Sequence, residues 1–212
     1  MIAIPHPVNR QIGSYYYLSS LIANYKSYVD SWRDSALKEI RTKAKEFSEG
    51  DREIEADIYS QESRVIYEQT EFEELLFYKS MLIMVYSYYE SIIHRMAIDV
   101  GVKEDRPSLI CDKIGKALSS EIKDKIDYIW NYVRLLRNHL CHNDSGTKDK
   151  DEECTKKSLN WLCQNKYIEM GDNLGEYNVY YISKDFILDV LTKEHDALLE
   201  LSNIIGYKGI NC

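Results

Sequence analysis

The chain has only three prolines in 212 residues, no Cys-x-x-Cys pair and no apolar run longer than six residues. Few prolines mean few enforced breaks, which favours long helices. The longest apolar run, Met81 to Tyr86, is far too short to span a bilayer, so no membrane partner is expected. The five cysteines, Cys111, Cys141, Cys154, Cys163 and Cys212, are odd in number. Met1-Ile2-Ala3-Ile4-Pro5 lacks the basic start of a signal peptide. Reduced thiols and a cytoplasmic location are the expectation. A zinc site from Cys141, His142, Cys154 and Cys163 would match no standard ligand spacing, so neither a metal nor another cofactor is expected. There is no internal repeat and no low-complexity linker.

Tyrosine, by contrast, is abundant, with 18 residues. Its polar tip on an apolar ring suits half-buried positions, interfaces and stacking surfaces. Hydrophobic residues at 44% and charged residues at 29% are the balance of a soluble globular protein. The net charge of −8 argues against a protein coated in nucleic acid. The charge is uneven, however. Residues 101–166 carry a net +2, while the segments on either side each carry −5. A local phosphate site on an acidic body is compatible with that pattern, and so is chance composition.

Periodicity predicts a mainly all-α fold. Residues 1–13 read as an extended lead-in because Pro5 and Pro7 oppose a helix, and Ser14 can cap the next segment. From Tyr15 to about Phe47, Leu18, Ile22, Tyr25, Val29, Trp32, Ala36 and Ile40 form one stripe of a long amphipathic helix. Ser48-Glu49-Gly50-Asp51 is a stop and then a cap. A second long helix runs from about Arg52 to Asp99, with Ile54, Ile58, Val65 and Ile66 as the apolar marks of its charged first half. Its second half, Leu75 to Ala97, is apolar nearly all round and is placed at the centre of a bundle. Gly101 ends it.

A short helix comes next, from about Leu109 to Leu118. Another runs from about Glu121 to Cys141, capped by Ser119 or Ser120, with Ile122, Ile126, Ile129, Trp130, Val133, Leu136 and Leu140 as its buried face. Lys148 to Glu153 reads as a solvated loop. Thr155 to Asn165 reads as a short helix. Tyr167 to Met170 and Asn178 to Ile182 read as a hairpin around Gly171-Asp172-Asn173-Leu174-Gly175. A last helix starts at the Ser183 cap and closes at Gly206. The expected architecture is a single domain over 1–212. Its helical core lies at about 14–145, and a helix-hairpin-helix appendage at about 154–206.

The chemistry concentrates in Arg137-Asn138-His139-Leu140-Cys141-His142, near the end of an apolar helix. A guanidinium holds phosphate oxygens bidentately and keeps its proton. An imidazole exchanges a proton near neutral pH. Cleavage of an RNA phosphodiester needs both. On an ideal helix Arg137 and His142 differ by about 140° in direction, whereas Asn138 and His142, four apart, share a face. Three routes could unite the pair: the reach of the arginine, the helix end at His142, or a dimer in which two copies face each other.

Arg137 and Asn138 with His142 after them resemble the signature of HEPN domains, in which an arginine, a small polar residue and a histidine are set with four positions between arginine and histidine. The stretch Met84 to Ile93, with Glu90, is similar to that family's aromatic-rich core helix carrying a glutamate. The resemblance covers roughly Glu71 to Asp144. It implies a compact helical bundle and metal-independent endoribonuclease activity through attack of the ribose 2′-hydroxyl on phosphorus. It implies Arg137, His142 and Asn138 as catalytic residues, with Glu90 and His139 supporting them. Glu90 would fix the arginine from the neighbouring helix. The partners implied are RNA, a second copy forming a homodimer with a composite site, and an antitoxin or defence-system protein. In the members controlled by nucleotidyltransferase antitoxins, a tyrosine two residues after the histidine is modified. Asp144 stands there, so that control is not expected. Arg134 and His139 repeat the spacing, but Leu135 stands where the small polar residue belongs.

Other readings stay open on the sequence alone. His142 could cap helix carbonyls, and Arg137 could be an ion-pair partner of Glu90 or Asp144. A non-catalytic module of the same fold would dimerise and bind RNA or a protein. A plain helical scaffold would do neither. His94-Arg95 is assigned to core and rim, Tyr15-Tyr16-Tyr17 to packing, and the acid-rich stretch Glu68 to Glu74 to a solvated helix face.

Overall fold

Two long helices dominate the chain. In the computed structural model, which describes residues 7–142, 152–171 and 180–207 (His142 and Glu152 in backbone only), α1 spans Pro7–Gly13, α2 Tyr15–Phe47 and α3 Arg52–Val100. The 33 residues of α2 make a rod about 50 Å long at 1.5 Å per residue. It runs antiparallel to α3. Lys26 pairs with Glu74, the Arg33 guanidinium lies over the Tyr67 ring, and Arg41 lies over Tyr59. Asp51 caps α3 by accepting from the backbone N–H groups of Glu53 and Ile54. Gly101 ends it at φ 77, a left-handed conformation that glycine adopts without steric cost.

The outer part of this helical pair is thin. Val29 and Ala44 are buried there on α2, but on α3 the buried positions are Ser63 and Thr70. Their hydroxyls donate to the backbone carbonyls of Ser60 and Ile66, so neither is left unsatisfied at the seam. Val65, expected among the apolar marks, is exposed. Two small hydroxyl residues seven positions apart let the helices meet there.

The main core begins at Tyr78. Leu82, Val85, Tyr86, Ile92, Ile93 and Met96 of α3 are buried against Phe186, Ile187, Val190, Leu191, Leu198 and Leu201 of α8 (Lys184–Ile205). α3 touches α1, α2, α8 and the elements around the motif, which is the central place its continuous apolar pattern predicts. Each such side chain stabilises the fold by about 1.5–3 kcal/mol. α8 starts at the predicted cap, where the Ser183 hydroxyl accepts from the Phe186 N–H. It carries one fully buried carboxyl, Glu194, inside this core.

α4 (Pro107–Ile114) ends at Gly115, earlier than the expected Leu118. α5 (Ser120–Tyr128) is capped by Ser119, which also donates from its N–H and its hydroxyl to the Glu200 carboxylate. α7 (Glu152–Gln164) leads to β1 (Ile168–Met170), which pairs antiparallel with β2 (Tyr180–Ile182) in the register Ile168 to Ile182. Ile168, Tyr180 and Ile182 point into the core. The predicted loop at 148–153 and the hairpin turn lie largely outside the described residues.

Three expectations are corrected. Residues 7–13 form a helix rather than an extended lead-in, because Pro7 stands at its first position, where no N–H is needed, and Val8 and Ile12 are buried. Ser14 does not cap α2. Its backbone is helical and its hydroxyl donates back to the Arg10 carbonyl. The helix expected from Glu121 to Cys141 is interrupted. Ile129–Val133 is a π-helical segment between α5 and α6 (Arg134–His142). Its wide turn has the Arg134 N–H donating to the Ile129 carbonyl, five residues back. Trp130, at the start of this segment, is 44% exposed rather than part of the predicted buried face.

Candidate active site

α6 and α3 build the site between them. The π segment sets the direction in which α6 leaves α5, and its loosened carbonyls find donors. Asn131 accepts from the Ser158 hydroxyl of α7 at 2.7 Å, and Trp130 accepts from Arg134 Nε at 3.4 Å. With that register, Arg137 faces α3 rather than solvent. Its side chain is 24% exposed.

Four groups hold the guanidinium. Nη1 donates to Asn138 Oδ1 at 3.0 Å. Nη2 donates to Ser87 Oγ at 3.4 Å and lies 3.5 Å from Glu90 Oε2. The Tyr86 ring lies beneath, 5.7 Å from the guanidinium carbon. The Arg137 Nε is buried with no partner among the described residues. The Nη2 contacts sit at the long end of hydrogen-bond distance, so this corner is aimed but loosely bound. Burial and then the Glu90 carboxylate push the Tyr86 hydroxyl well above its ordinary range, so it stays a neutral donor.

Tyr86 and Glu90 also line an open cavity of about 360 Å³, together with His94, Asp105 and Trp130. His94 stands one helical turn after Glu90 on α3. Its Nδ1 is 2.9 Å from both carboxylate oxygens of Asp105. Pro107, Ile126 and Trp130 are shared with a second cavity of about 690 Å³. Arg106, Lys116 and Lys123 line that one, with Asp112 and Asp127 beside them. The Arg134 guanidinium lies over the Trp130 ring, 4.4 Å from its centroid.

Of the residues singled out in the sequence, the structure brings Arg137, Asn138 and Glu90 together. Asn138 contacts the arginine directly, and Glu90 reaches it from the neighbouring helix. His139 turns to the hairpin instead. Its Nε2 is 3.1 Å from the Tyr180 hydroxyl, and the two rings meet edge to face at 5.3 Å. The backbone of His142 is the last residue of α6, one turn after Asn138. Its side chain, like Asp144, lies outside the described residues. The alternative pair does not form such a site, since Arg134 packs on Trp130 and His139 on Tyr180. His94 reads from the sequence as a rim residue, and its cavity is not visible there. The four-residue spacing from Glu90 is the available signal.

No protein-family model, curated protein or solved structure matches the chain. Among the described residues, no group of three or more His, Cys, Asp or Glu side chains is placed to hold a metal ion. Nor is any described helix long and apolar enough to cross a membrane.

Proposed function

We propose that this protein is a metal-independent endoribonuclease of the HEPN type, with Arg137, Asn138 and His142 at its reaction centre. One observation carries the reading. A guanidinium is held at the edge of a bundle by a carboxylate from the neighbouring helix, and two of the residues that hold it, Tyr86 and Glu90, open onto a cavity. An arginine needed only as a structural ion pair has no reason to leave its Nη2 at the far limit of contact. That edge suits a group that completes its hydrogen bonds on a phosphate.

In this reading the ribose 2′-hydroxyl attacks the adjacent phosphorus. Arg137 stabilises charge growing on the phosphoryl oxygens. Asn138 fixes one edge of the guanidinium, and Glu90 and Tyr86 fix its tilt. His142 moves a proton. The adjoining cavity gives a single strand somewhere to lie, with Trp130 as a stacking surface and Arg106, Lys116 and Lys123 as phosphate contacts. Pairing of two copies around the end of α6 would form a composite site. A toxin or defence role, with an antitoxin or defence protein as partner, belongs to the same proposal.

The test is incubation with mixed RNA in the presence of EDTA. Cleavage leaving a cyclic phosphate and a 5′-hydroxyl, lost in His142→Ala, is the expected result. RNA left intact, or products unchanged in His142→Ala, would sink the proposal.

A further inference from the structure

We infer that His94, oriented by Asp105, is a second proton-transferring residue, and that it protonates the leaving oxygen of the cleaved strand. The inference rests on the nuclease reading above. Cleavage forms a bond from the 2′-oxygen to phosphorus and breaks the bond from phosphorus to the 5′-oxygen. One proton must leave the 2′-hydroxyl and one must reach the 5′-oxygen, on opposite sides of phosphorus. The Arg-x4-His motif supplies one imidazole per chain, and a single ring cannot stand on both sides at once.

The cavity beside Arg137 holds another imidazole. His94 and Glu90 are four apart on α3 and line the same wall. Glu90 is the residue whose carboxylate lies 3.5 Å from the Arg137 guanidinium. Glu90, His94 and Asp105 line this cavity, and Glu90 joins it to Arg137. Asp105 holds Nδ1 with both of its oxygens at 2.9 Å. That bond fixes the ring and its tautomer, and leaves Nε2 as the nitrogen free to exchange a proton. The His94 side chain is 60% exposed, so a substrate can reach it. Trp130, also on the cavity wall, offers a surface for the base next to the broken bond. His142 then takes the 2′-proton, and Nε2 of His94 gives one to the 5′-oxygen. The protons exchanged balance, and solvent resets both rings.

A paired substrate test decides this. Ordinary RNA is compared with RNA whose bridging 5′-oxygen is replaced by sulfur, a leaving group that departs without a proton. His94→Ala should slow cleavage of ordinary RNA by about 100-fold or more, and cleave the sulfur-bridged RNA within about 10-fold of the unsubstituted protein. His142→Ala should be slow on both. Asp105→Asn should share the His94→Ala pattern in milder form. His94→Ala cleaving ordinary RNA at full rate, or losing equally on both substrates, overturns the assignment while leaving the nuclease reading standing. An unsubstituted protein that cleaves neither RNA overturns both.

Discussion

Glu194 on α8 accepts a hydrogen bond from the Tyr15 hydroxyl on α2 at 3.0 Å, and its other carboxylate oxygen is buried with no partner among the described residues. Burial raises its pKa well above the ordinary 4.5, and the nearby Glu90 adds to the rise. The folded protein therefore keeps this proton at pH values where the unfolded chain releases it. The contribution to stability is complete below about pH 4.5 and declines as pH rises toward the folded value, by about 1.4 kcal/mol for each unit crossed. Glu194→Gln is expected to have a higher Tm than the unsubstituted protein at pH 8 and to converge with it near pH 4. Thermal melts across that range check it. Parallel curves would show that the carboxyl is not neutral in the fold.

Arg137→Lys keeps the charge but loses the planar fork that Asn138, Ser87 and Glu90 hold. Cleavage is expected to fall by about 100-fold or more, because one ammonium cannot replace two aimed donors. Asn138→Ala removes the 3.0 Å contact to Nη1 and is expected to cost about 10-fold or more in rate, with Tm nearly unchanged. Single-turnover cleavage with saturating protein separates these effects from weaker binding.

Trp130→Ala and Lys123→Ala probe the proposed strand path. Measured in a His142→Ala background so that RNA survives, the tryptophan substitution should weaken single-strand affinity by about 1–3 kcal/mol. Lys123→Ala should lower the salt dependence of binding by about one phosphate contact. Equal affinities for all three proteins would remove this path from the proposal.

Ser158→Ala leaves the Asn131 carbonyl without the hydroxyl that now reaches it from α7 at 2.7 Å. A loss of about 1–3 kcal/mol is expected in denaturant melts, with lower cleavage as α6 shifts.

The long helices, the Asp51, Ser119 and Ser183 caps, the Gly101 and Gly206 stops and the hairpin strands are legible in the sequence because each rests on local chemistry. Glu90 reaching Arg137 is legible too, as the resemblance implies it. The exposure of Trp130 is not. Its spacing fits the apolar stripe, yet it stands exposed at the start of a π segment that no local pattern announces. The helix at Pro7 escapes a reading that treats proline as a breaker, because a proline opposes a helix interior but suits its first turn. His139 stands beside the motif in sequence, yet its partner Tyr180 lies on a strand that no local pattern links to it. The cavity around His94 needs the 101–107 connection folded back over α3, a contact with no signature in either segment.

The wide turn at 129–133 makes the aim of the guanidinium depend on winding as well as residue type. The same residues wound there as a regular α-helix would keep the composition, the charge and the Arg-x4-His spacing. Yet everything downstream in the rod would swing by about 100°, and the arginine would lose its bearing on α3. In this chain the motif alone does not say where the arginine points; the winding of the approach to it does.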